Sequence, residues 1–135
     1  MDETDRISGK HILLAEDNDL NAEIAQFILE DMGLMVDRVE DGVQCVSRIE
    51  QKPAGTYDLI LMDIQMPIMN GYEAAAKIRR IDDRKKADIP IIALTANAFS
   101  EDKDNAIKAG MNDHVPKPID MNVLLPAMQK LITGK

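Results

Sequence analysis

Glu16 and Asp17 follow a short apolar run, Asp63 follows a second, Thr95 closes a third, and Lys117, with Pro118 after it, ends a fourth. If a fold brings the three carboxylates into one cleft, their charges must be offset. At ~4 Å and an effective dielectric of ~20, each like-charged pair costs about 4 kcal/mol, so the cluster requires cations or bound protons. Lys117 supplies one positive charge and a divalent ion would supply two. Magnesium fits, because it takes oxygen ligands, one or two of them carboxylates, and keeps waters and a phosphate oxygen for its other positions. Calcium meets the same ligand type. The cluster holds no His or Cys, which makes zinc a poor match.

The elements between these residues decide whether they can meet. Runs rich in Ile, Leu and Val at 11–15, 34–39, 59–62, 91–94 and 114–116 are strand-sized. Three of them are continuously apolar, the pattern of a parallel sheet covered by helices on both faces. Leu20, Ile24, Phe27 and Ile28, and later Leu124, Leu125, Met128, Leu131 and Ile132, recur at helical spacing and are read as packing faces. Asn70-Gly71 and Ser100 mark helix starts, while Gly33 and Gly110 mark stops. Strands alternating with helices five times predict a (βα)5 chain, and right-handed crossovers favour an open, doubly wound, flavodoxin-like sheet of five parallel strands. In the order 2-1-3-4-5, strands one and three are neighbours. Glu16, Asp17 and Asp63 then meet beyond the carboxyl ends of the strands, where strand order reverses and ligands bind.

The composition sets bounds on this picture. A chain of 135 residues with 45% hydrophobic residues supports one domain, expected over 9–133, after a charged and disordered lead-in over 1–8. Nothing after about Ile132 has room for an output domain. The single cysteine, Cys45, excludes an internal disulfide and is read as a half-buried helical packing residue. The nine methionines are read as core filler. No apolar run reaches the ~18 residues of a membrane span, and the start has no signal-peptide pattern. A net charge of -8 opposes direct binding to nucleic acid or an anionic membrane.

The stretches LLAEDN around Glu16 and Asp17, LILMDIQMPIMNG around Asp63, IIALTANA around Thr95 and VPKPI around Lys117 together resemble the response-regulator receiver family of two-component signalling. The likeness runs from about Gly9 to Ile132. The wording AEDNDLNAEIA, MDIQMPIMNGYEAAAKIR and ALTANAF is most like the receivers of hybrid sensor histidine kinases. This resemblance implies that Asp63 attacks a phosphohistidine on a histidine kinase or histidine phosphotransfer domain and becomes an aspartyl phosphate. It also implies that Asp17 and Asp63 ligate Mg2+, or Mn2+ in its place, that Glu16 acts largely through water, and that the backbone carbonyl of Gln65 is a further ligand. Phosphoryl transfer is catalysed by positioning and charge stabilisation, which the metal and Lys117 would provide. The Thr95 hydroxyl and the Ala96 backbone amide would donate hydrogen bonds to phosphoryl oxygens. The family's Lys-Pro step is cis, which would aim Lys117 inward. Thr95 and His114 take the switch role, His114 standing where the family often has a tyrosine or phenylalanine, and adding a group that titrates near neutral pH.

The implied molecule is a regulatory phosphoacceptor that assists its own phosphorylation and dephosphorylation. It is expected to be monomeric and cytoplasmic, and any hybrid-kinase parent would be a histidine kinase. The family commonly presents the face from strand four to the last helix to partners, and Pro126 should bend that helix if Asp120 is its N-cap. Plainer readings stand beside these. Asp17 and Asp19 suit a helix cap, Thr95 suits the end of a buried strand, and Lys117 suits a turn. Pro67 and Gly71 shape the turn after strand three. Asp58, Asp82, Asp83 and the run DDRKKAD read as solvated charge, and His11 as a surface residue. A haloacid-dehalogenase-like phosphatase shares the Asp, Thr, Lys and magnesium but expects an aspartate where Gln65 stands, and a binding module that has lost phosphorylation is the third reading.

Overall fold

The computed structural model describes residues 7–96 and 100–133, the side chains of 100–102 and 133 excepted. Strands β1 (His11–Ala15), β2 (Met35–Val39), β3 (Leu59–Asp63), β4 (Ile91–Thr95) and β5 (Asp113–Pro116) form one parallel sheet in the order β2-β1-β3-β4-β5. The helices are α1 (Asp19–Asp31), α2 (Gly42–Gln51), α3 (Gly71–Arg79), α4 (Arg84–Ala87), α5 (Ser100–Ala109) and α6 (Met121–Thr133). Apart from His11, Asp63 and Thr95 at their ends, the central strands β1, β3 and β4 are apolar because both of their faces are covered. Leu13, Ile60, Met62 and Ala93 pack with α2 and α3, whereas Ile12, Leu14, Leu59, Leu61, Ile92 and Leu94 pack with α1 and α6.

Local chemistry sets the helix ends. Asn70 and Glu73 form a capping box at α3, and Gly33 and Gly110 adopt φ of +88° and +105° where α1 and α5 stop. Asn18, and neither Asp17 nor Asp19, caps α1 by accepting from the Asn21 amide at 2.9 Å. Gly71 is required: a Cβ there would sit 2.5 Å from the Asp63 carbonyl oxygen, so only glycine lets α3 start against β3.

Several expectations are corrected. The run DDRKKAD keeps Asp82, Asp83, Arg84, Lys85 and Asp88 exposed as expected, but it is also partly helical: Asp83 caps the four-residue α4, which is too short to stand alone. Arg79 ties it down, donating to the carbonyls of Ala87 at 2.5 Å and Ile89 at 2.7 Å. The Leu20, Ile24, Phe27 stripe is not a packing face. Those side chains are 64%, 50% and 73% exposed, and α1 packs instead through Ala22, Ala25 and Leu29. The stripe Leu124 to Ile132 does pack, with Leu124 and Met128 fully buried.

His11 is half-buried, its Nε2 lying 3.2 Å from Asp37 Oδ2, an oxygen that also accepts from the Tyr57 hydroxyl at 2.7 Å. Asp58 is no free charge, since it accepts from the His11 amide at 2.9 Å. Cys45 is wholly buried, and burial pushes its thiol up to about 12. Ile7, within the expected lead-in, is buried in the α1–α6 core, while residues 1–6 of that stretch and 97–99 of the ALTANAF motif lie outside the described residues. Pro126 lies inside α6, as its position predicts. No described helix is long and apolar enough to cross a membrane.

Candidate functional site

Strand order reverses between β1 and β3, and the residues that follow both strands face one crevice. Glu16 continues β1, its amide donating to the Val39 carbonyl at 3.1 Å, and is 2% exposed. Asp17 is exposed at the crevice mouth. Asp63 ends β3 and is 4% exposed. One carboxylate oxygen from each of the three lies within 4.8 Å of the others. Lys117, on the loop after β5, points inward next to a cis Lys117–Pro118 bond, and its Nζ donates to Asp63 Oδ2 at 2.9 Å and to Glu16 Oε1 at 3.3 Å. The four side chains that the sequence singles out as an ionic cluster are therefore together.

Burial shapes their charges. Glu16 is pushed up to about 7, first by loss of water and then by its contact with Asp63, against the pull of Lys117. Burial opposes the charge on Lys117, but the contacts with Asp63 and Glu16 outweigh it and its ammonium is held above the ordinary lysine value. One ammonium thus faces two buried carboxylates, and Glu16 is held towards its protonated form.

Two buried oxygens have no hydrogen-bond partner among the described residues, Glu16 Oε2 and Thr95 Oγ1. A buried polar atom left unpaired costs about 1–3 kcal/mol, which a ligand supplying partners would recover. Thr95 is fully buried at the end of β4, and its carbonyl accepts from the Lys117 amide at 2.7 Å. Asp17, Asn18, Asp63, Gln65, Ala96 and Lys117 line a polar cleft of about 400 Å³. Gln65 is exposed, and its amide donates to Asp63 Oδ1 at 3.2 Å. The all-oxygen donor set and the unpartnered Glu16 oxygen fit a hard divalent cation.

His114 is half-buried on β5, level with Ala93 and so two residues below Thr95, and its Nδ1 is 3.7 Å from Asp113 Oδ1. Sequence reasoning missed Arg38, whose guanidinium reaches the turn after β1, and Asn18, which caps α1 at the cleft. The adjacent charges Asp37 and Arg38 in the middle of a strand-sized run were the available signal for Arg38.

The family model of the response regulator receiver domain matches residues 12–129. The chain is 40% identical over 128 residues to hybrid signal transduction histidine kinase B of Dictyostelium discoideum, covering 88% of this chain and 6% of that protein. It is 38% identical over 120 residues to the sensor protein GacS of Pseudomonas syringae pv. syringae, covering 88% and 13%. It therefore spans a small part of the curated relatives that it matches. Among solved structures, the receiver domain of sensor histidine kinase PA1611 from Pseudomonas aeruginosa PAO1, with magnesium coordinated in its active-site cleft, superposes with a TM-score of 0.82 at 40% identity, covering 93% of this chain and 99% of that one. A chain from the Saccharomyces cerevisiae co-crystal of the histidine phosphotransfer protein Ypd1 with the Ssk1 receiver domain gives 0.80 at 27% identity, covering 93% and 90%.

Proposed function

The chain belongs to the response regulator receiver domain family of two-component signalling, and from that premise we propose that Asp63 is its phosphoacceptor, assisted by Lys117 and Thr95 in a site that Glu16, Asp17 and Asp63 equip for Mg2+. One observation carries the reading: Lys117 Nζ lies 2.9 Å from Asp63 Oδ2 inside a ring of carboxylates, with the Thr95 hydroxyl unpartnered at the end of the next strand.

In the transfer, an Asp63 oxygen attacks phosphorus while the bond from phosphorus to the donor imidazole nitrogen breaks. The electron pair stays on that nitrogen, which takes up a proton. Lys117 already contacts Asp63 and stabilises charge on the transferring phosphoryl oxygens, and the Thr95 hydroxyl and Ala96 amide donate to the same group. Asp17, Asp63 and the Gln65 backbone carbonyl would hold the cation, with Glu16 reaching it largely through water. Bound magnesium, or manganese, supplies charge neutralisation and an oxygen-orienting centre. Phosphorylation then biases the loops after β4 and β5 through Thr95, with His114 as the second switch position.

The proposed donor is a phosphohistidine on a histidine kinase or histidine phosphotransfer domain. The named relatives and the Ypd1–Ssk1 co-crystal support that class. Exposed Leu20, Ile24 and Phe27 on α1 support it too, since Ile24 lines an apolar pocket of about 360 Å³ that shares Glu16, Ala96 and Lys117 with the site. We place the chain as a monomeric regulatory domain of a larger hybrid kinase, on the cytoplasmic side, without direct contact to nucleic acid.

The test is incubation with a small phosphodonor and magnesium. A covalent adduct mapped to Asp63, dependent on the metal and absent from Asp63→Asn, is expected. An adduct elsewhere, or none with metal bound, refutes the assignment.

A further inference from the structure

Arg38 lies on β2, the edge strand, yet its guanidinium reaches across to the turn that carries two of the three carboxylates. Its Nε donates to the backbone carbonyl of Glu16 at 2.9 Å, and its Nη1 donates to Asp19 Oδ1 at 3.0 Å. These contacts bracket Asp17. On the other side of the Glu16 residue, its amide donates to the Val39 carbonyl at 3.1 Å, so β2 grips Glu16 by both backbone groups. Glu16 and Asp63 share Lys117, whereas the exposed Asp17 carboxylate takes no hydrogen bond among the described residues. One of its oxygens nevertheless lies within 4.8 Å of theirs.

We propose that Arg38 is a positioning residue for the metal site: by holding the Glu16 carbonyl, it fixes the β1–α1 turn so that Asp17 stays turned towards Asp63. This deepens the reading of the cleft as a magnesium-binding phosphoacceptor and rests on it.

The two contacts differ in weight. Asp19 is 89% exposed, so its ion pair with Arg38 is screened and contributes little. The bond to the Glu16 carbonyl is charge-assisted and lies against a residue that is 2% exposed. Arg38 also buries its Nη2 without an acceptor among the described residues. An arginine present only as surface charge would turn that nitrogen to water and avoid the cost. Lysine cannot replace it, because a single ammonium does not reproduce the two fixed donor directions of a guanidinium.

Charge and positioning predict opposite outcomes, which makes the proposal testable. A positive charge beside three carboxylates repels an incoming cation, so its removal alone would tighten magnesium binding. Loss of positioning would weaken it. Magnesium dissociation constants are measured by calorimetry for the wild type, Arg38→Met, Arg38→Lys and Asp19→Asn, with the melting temperature of each recorded in EDTA. Arg38→Met is expected to weaken binding about 10-fold or more, the range for residues that orient metal ligands. Arg38→Lys, which keeps the charge, is expected to weaken it by roughly 3-fold or more, and Asp19→Asn to stay within about 2-fold.

With a small acyl phosphate, the magnesium concentration giving half-maximal phosphorylation should rise in step, while the rate at saturating magnesium stays within about 3-fold of wild type. A merely structural role would lower the melting temperature without moving that concentration. Equal or tighter magnesium binding by folded Arg38→Met overturns the proposal. If Arg38→Met does not fold, Arg38→Lys decides, and wild-type affinity there overturns it. A wild type that binds no magnesium overturns the reading of the cleft itself, a different result from a wild type that binds and a variant that matches it.

Discussion

Glu16 is 2% exposed, beside a second buried carboxylate and one ammonium, and its stability consequence has a definite sign. Its folded value of about 7 lies above the ordinary 4.5, so the fold favours the protonated form. The stabilisation is complete below about pH 4.5 and is lost as the pH rises to about 7. Because Glu16 contacts Asp63, the proton belongs to the pair. In EDTA, the unfolding free energy from urea titrations should therefore fall between pH 5 and pH 7 with a slope not exceeding about 1.4 kcal/mol per pH unit, and Glu16→Gln should flatten that slope. An unchanged slope would mean that another group carries it. Thr95 makes the complementary case. Its hydroxyl is buried and unpartnered, so Thr95→Val should leave the protein as stable or up to about 1 kcal/mol more stable while slowing phosphorylation of Asp63. A variant that gains stability and loses chemistry marks a group kept for a ligand.

At the level of elements, legibility followed how many structures one pattern can satisfy. Runs such as Leu59 to Met62 admit little besides a strand covered on both faces, and β1, β3 and β4 lie where those runs stand. The α1 stripe misled because an i, i+3, i+4 apolar row is the same whether it meets a core or a partner. The alanines Ala22 and Ala25, which let α1 approach the sheet closely, carry no such signal. The four-residue α4 was invisible because its support comes from Arg79, a tertiary contact. The start of α3 is where sequence and site join most tightly, since a Cβ at Gly71 would collide with the Asp63 carbonyl at 2.5 Å. Gly71→Ala should cost about 1–3 kcal/mol by urea unfolding and, if Asp63 takes the phosphoryl group, slow phosphorylation as well, because relief comes by moving the Asp63 backbone. Full activity in a destabilised Gly71→Ala would show that the helix moves instead.

For the whole molecule, the cluster of Glu16, Asp17, Asp63 and Lys117 could be read from residue types at strand ends, because a doubly wound sheet brings those ends together whatever the loops do. What could not be read is the surface that a partner meets. A chain of net charge -8 does not favour a highly acidic partner, yet it exposes Leu20, Ile24 and Phe27 on one helix beside the cleft. These residues contribute little to the core, so Phe27→Ala should change unfolding stability by less than about 0.5 kcal/mol. If α1 seats the phosphohistidine donor, the same substitution should cost about 2 kcal/mol of binding, the size of an aromatic anchor in an interface, and so about 30-fold in affinity. A small phosphodonor needs no docking surface, so its rate on Phe27→Ala should match wild type. Transfer from a phosphorylated histidine phosphotransfer protein that is equally fast on both would place the docking face elsewhere and leave the exposed stripe without a role in phosphotransfer.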